Sequence, residues 1–107
     1  MTPEDLIAEH EAHAEERRRI EGLAKAAYFG ISVEDFLASP IGQYLTARAA
    51  VEREEHLEAL VTAPAHDSAT VIALQNHIKV IDQWQRWLGE AINTGRSAAK
   101  VLDAEDA

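Results

Sequence analysis

The most regular pattern of apolar and polar positions lies in the last third of the chain. Val71, Leu74, Ile78, Ile81, Gln85, Leu88 and Ile92 recur at alternating steps of three and four, and Gly95, Ala99 and Leu102 extend the line. This spacing places about one side chain per turn on a single face, so it predicts a long helix over about residues 68–102. A second line, Val80, Trp87 and Val101, repeats every seven residues on another face and is interrupted at Thr94. Two apolar lines are more than one antiparallel helix covers. They imply either burial between two other helices of the same chain or contact between chains.

The rest of the chain also reads as helix. Thr2 is a cap, Pro3 suits the first helical position, and Glu4 and Asp5 favour the positive end of the helix dipole. The predicted helix runs over about residues 3–29 and stops at Gly30. Its stripe is Leu6, His10, His13, Arg17, Ile20, Ala24 and Ala27, with no large apolar side chain in the middle, so the first half is weakly anchored. Ser32, with Asp35 three residues on, predicts a helical turn over about residues 33–38. Ser39 and Pro40 then restart a helix over about residues 40–61, in which Ala47, Ala49 and Ala50 allow close backbone approach. Pro64 breaks it, Asp67 or Ser68 caps the last helix, and residues 103–107 form an acidic tail. The predicted fold is a single all-α domain, a helical hairpin or short three-helix bundle with a long C-terminal helix.

Two positions in the last helix bear on function. Gln85 is an amide in an apolar seam, where it would fix register because any slipped arrangement strands it without a hydrogen-bond partner. The alternative is that the seam drifts off the core and Gln85 meets water, since a straight helix rotates about 20° per heptad from an ideal seam. Trp84 and Trp87, three residues apart, can form an aromatic patch of the kind enriched where partners bind. One is expected to pack in the core and the other to meet a partner. Val80, Trp84, Trp87 and Val101 are thus the candidate contact residues, with Gln85 setting their register.

Composition narrows the classes. In 107 residues, 47% are apolar, 27% are charged and only 3 are Pro, as in a globular helical chain. At this length roughly 60–65% of the unfolded surface can be buried, enough for one modest core. The net charge is −9, from 19 acids and 10 bases, and disfavours nucleic acid as the main ligand and anionic lipid as a surface. Arg17, Arg18 and Arg19 follow Glu15 and Glu16, so the basic cluster reads first as a paired, solvated face and second as a docking site for phosphate or an acidic partner. Cysteine is absent, which excludes disulfides and thiolate chemistry. Neither a membrane span nor a signal peptide is expected, and the compartment expected is cytoplasmic.

Hidden chemistry has little support. His10 and His13 lie near Glu9 and Glu16, and Glu52 lies one turn before His56, which makes these residues the candidate metal ligands. The Glu-x-x-His pattern of carboxylate bundles fails in each helix, because Arg53 precedes His56 by three, Ile7 precedes His10, and His10 precedes His13. No metal or other cofactor is therefore expected. There is no nucleophile elbow, phosphate loop or dinucleotide fingerprint, and the acids of "EREEHLE" read as a solvated face, so no enzyme is expected.

The stretch "FLASPIGQYLTARAAVEREEHLEALV" and the later "LQNHIKVIDQWQRWLGEAINTGRSAAKVL" carry a resemblance. Together, over residues 30–102, the chain resembles small helical proteins encoded by tailed phages and prophages near head-assembly and packaging genes. The shared features include Ser39-Pro40, Leu74-Gln75-Asn76, Trp87-Leu88 and the Gly95 region, and the acidic first helix and tail fall outside them. The resemblance implies a non-enzymatic structural or assembly role, in the virion or host cytoplasm. The expected partners are a larger phage protein such as the portal, connector or capsid, further copies of the chain, or both. The competing class is an acidic inhibitor or regulator that binds a basic surface of a host protein.

Overall fold

The computed structural model describes residues 1–106. Among them all regular structure is helical, with α1 at Pro3–Ala38, α2 at Pro40–Thr62 and α3 at Ser68–Asp106. The protein is all-α.

Each helix starts where a side chain satisfies its first-turn amides. At α1 the Asp5 amide donates to Thr2 Oγ1 at 3.2 Å and the Thr2 amide donates to Asp5 Oδ2 at 3.1 Å, a reciprocal capping box. At α2 the extended Ser39 accepts from the Gly42 amide at 3.1 Å, and Pro40 sits in the first turn. Pro40 also explains why α1 ends, because the residue before a proline is pushed out of the helical region. At α3 Asp67 accepts from the Thr70 amide at 3.2 Å and from the Thr70 hydroxyl at 2.7 Å.

α1 does not stop at Gly30, and the expected turn over residues 33–38 forms its last turns. No glycine among the described residues has positive φ, so Gly30 is not a left-handed terminator. Ser32, expected to cap, lies inside the helix and donates its hydroxyl to the Tyr28 carbonyl at 3.0 Å. α3 likewise overruns residue 102 and makes residues 103–106 helical, whereas position 107 of the expected tail lies outside the described residues. Nothing between Leu102 and Asp106 breaks a helix, and Glu105 gains an ion pair with Arg19.

Contacts sort into two compact units, one of residues 1–32 with the chain from Ala91 onward and one of Val33–Glu90. Both boundaries fall inside helices.

In the first unit α1 and α3 run antiparallel: Arg19 pairs with Glu105, and Ala26 and Gly30 meet Gly95. The face of α1 that is covered shares Ala27 with the expected stripe and otherwise differs from it. Leu6, His10, His13, Arg17, Ile20 and Ala24 are exposed, whereas Leu23, Ala26 and Ala27 are half-buried and Gly30 is buried. Small residues win because they let the α1 backbone at Ala26 and Gly30 approach Gly95. Arg19 also grips Glu16 through two nitrogens at 3.1 and 2.7 Å, and this bond holds the Glu16 carboxyl below its ordinary range.

In the second unit α2 lies antiparallel to the first part of α3, so that Arg53 meets Asp82 and His56 meets His77. At the corner, Gly42 is buried against the backbone of Phe36 and Leu37. Each unit buries little. Val33 in this unit and Ala98 in the other are the buried apolar side chains, and no large side chain among the described residues is fully buried. A pair of helices covers one stripe of each and leaves the remaining faces to solvent.

Candidate functional site

The α3 seam is half-buried at Val71, Leu74, Ile78, Ile81, Leu88 and Ile92, but Gln85 is exposed. Trp84, half-buried, takes its place between Ile81 and Leu88. Within the chain Gln85 therefore meets water, and a register role for it exists only in a contact with another chain. The second apolar line stays uncovered: Val80 is 65% exposed, Trp87 58% and Val101 42%.

An open groove of about 380 Å³ lies between α2 and α3, lined by Leu45, Ala49, Val80, Ile81 and Trp84. Its α2 rim carries Arg48 and Glu52, which pair at 3.2 Å. Trp87 stands one turn beyond Trp84 on α3, outside the groove lining. Ala49 makes the notch by removing bulk from α2, and Trp84 forms one wall.

The α2/α3 pairing next to the groove is held by polar contacts. Arg53 Nε lies 2.7 Å from Asp82 Oδ1, and a second guanidinium nitrogen lies 3.2 Å from Oδ2, a two-pronged bond that holds Asp82 below the ordinary carboxylate range and raises Arg53. His56 and His77 follow, with ring centroids 4.9 Å apart and tilted by 48°. Glu52, His56 and His77 line one shallow depression. His77 went unremarked in the sequence. The signal for it is its seven-residue spacing before Trp84, which sets it on the α3 line that faces α2.

The metal candidates divide between the units: His10 and His13 belong to the first, Glu52 and His56 to the second. Among the described residues no group of three or more His, Asp or Glu side chains is placed to hold a metal ion. No helix among them is long and apolar enough to cross a membrane. The arrangement offers an apolar notch, protruding apolar side chains beside it and a charged rim, which is equipment for contact. No known protein family, curated protein or solved structure matches the chain.

Proposed function

We propose that the chain is a non-enzymatic structural or assembly component that docks by helix faces on a larger protein, in several copies, with a tailed-phage virion as its setting. The observation that carries the docking reading is the uncovered apolar line at Val80 and Trp87 beside an open groove. A solvent-exposed indole and valine two turns apart on one face, flanked by charged residues, are what an interface centre looks like before its partner arrives. Within each unit a pair of helices leaves apolar faces open, which fits the same role. The phage setting, and the portal, connector or capsid as larger partner, are supported by the resemblance over residues 30–102.

Binding of the purified chain to purified portal, connector and capsid proteins of a tailed phage tests this reading. Apolar docking should persist from about 0.05 to about 0.5 M salt, where the screening length falls to a few ångströms. Lack of binding to all three would sink the phage assignment. Binding that vanishes at moderate salt would instead favour an acidic inhibitor acting through its carboxylates.

A further inference from the structure

Two imidazoles from different helices meet in the second unit. His56 of α2 and His77 of α3 have ring centres 4.9 Å apart, with planes tilted by 48° rather than stacked in parallel. Both belong to the unit of Val33–Glu90, so the pair lies within one packed body. Among the described residues neither ring has a hydrogen-bond partner, so no protein group engages their nitrogens. Two imidazoles that bind one tetrahedral ion through nitrogens about 2.1 Å from it hold their ring centres about 5 Å apart. The separation of His56 and His77 is that of a ligand pair. Imidazole nitrogen suits zinc, copper and nickel, whereas oxygen donors suit magnesium and calcium.

We propose that His56 and His77 together bind one divalent ion of the zinc class, which clamps α2 to α3. The two histidines are the whole protein ligand set, and water completes the coordination. This agrees with the lack of any three-residue set among the described residues. Glu52 lines the same depression one turn before His56, but its carboxylate already accepts from Arg48 at 3.2 Å, so it supplies negative charge beside the ion rather than a ligand. Val80 and Ile81 form the apolar part of the lining. The net charge of −9 favours the arrival of a cation. A clamp has an effect here because the unit buries little, with Val33 its buried apolar side chain. The ligands come together only when α2 and α3 are paired, so the binding energy of the ion adds to the stability of that pair. The clamp stands independently of docking on a larger protein.

Thermal melting of the full chain with Zn²⁺ alone tests the site, with Mg²⁺ at the same concentration as the comparison. The melting temperature should rise with zinc and stay unmoved by magnesium, and calorimetric titration should give one zinc ion per chain. His77→Ala should abolish the rise and weaken zinc binding at least about tenfold, the loss that follows even removal of a ligand's outer hydrogen-bond partner. His77 is exposed, so this variant keeps its fold. His56→Ala should act in the same way, and should it fail to fold, His77→Ala decides alone. The double variant His10→Ala/His13→Ala removes the other close histidine pair, on α1, and should leave both the rise and the affinity unchanged. Sedimentation should give the same mass with and without zinc. Absence of zinc binding, binding undiminished in His77→Ala, a rise lost in the α1 variant instead, or association of chains driven by zinc would overturn the proposal.

Discussion

A methyl group added to Gly95 would lie 2.9 Å from the Cα of Gly30, and one added to Gly30 would lie 3.0 Å from the Cα of Gly95. The two backbones touch, and the absence of both Cβ atoms permits it.

Gly95→Ala should destabilise the chain by about 1–2 kcal/mol, because the clash with backbone exceeds the gain in helix propensity of about 1 kcal/mol. Gly22→Ala supplies the control. A Cβ at Gly22 meets nothing within 4 Å, so the same exchange should stabilise by about 0.5–1 kcal/mol. Urea unfolding followed by circular dichroism distinguishes them, and equal shifts of the same sign would refute the close approach.

At the corner between α1 and α2, a Cβ on Gly42 would fall 1.8 Å from the Phe36 carbonyl oxygen. Gly42→Ala should therefore cost about 3 kcal/mol or more, whereas Ser39→Ala, which loses the cap and the hydroxyl's bond to the Phe36 carbonyl, should cost about 1–2 kcal/mol. Thermal melting of both variants checks the order. A larger loss for Ser39→Ala would show that the cap, not the close packing, holds the corner.

Acid should act through the depressed carboxylates. Asp82 is lowered first by its bond to Arg53, and Asp67 first by its bond to the Thr70 hydroxyl. A folded-state value below the unfolded one means the unfolded chain binds protons more readily. The stabilisation is then complete above about pH 4 and is lost as pH falls through the depressed values. Melting temperature should stay level from neutral pH to about pH 5 and drop below about pH 4. In Asp82→Asn the drop should be shallower, with the gap to the wild type closing in acid. A constant gap at every pH would remove Arg53 and Asp82 from the explanation.

Residues 1–13 are all exposed, and α1 there rests on its capping box and local helix propensity. Hydrogen exchange should be fast for amides before about residue 18 and markedly slower near Ala26 and Gly30. Uniform protection along α1 would mean that another surface covers its beginning.

Much of the helix content was legible because its causes are local. Caps at Thr2, Ser39 and Asp67, the restraint of Pro40 and Pro64, and the three-and-four spacing of α3 act within a few residues. The apolar line at Val80 and Trp87 was legible as positions, but not whether another helix of the same chain covers it. Gly30 and the α1 stripe could not be read in the same way. A glycine ends a helix or admits a neighbouring backbone depending on what stands opposite, and Gly95 lies 65 positions away in the chain. Which face of α1 is covered, and whether Trp84 or Gln85 turns inward, likewise depends on contacts between distant segments. Spacing along one helix defines its faces, and packing against another helix selects which of them loses water.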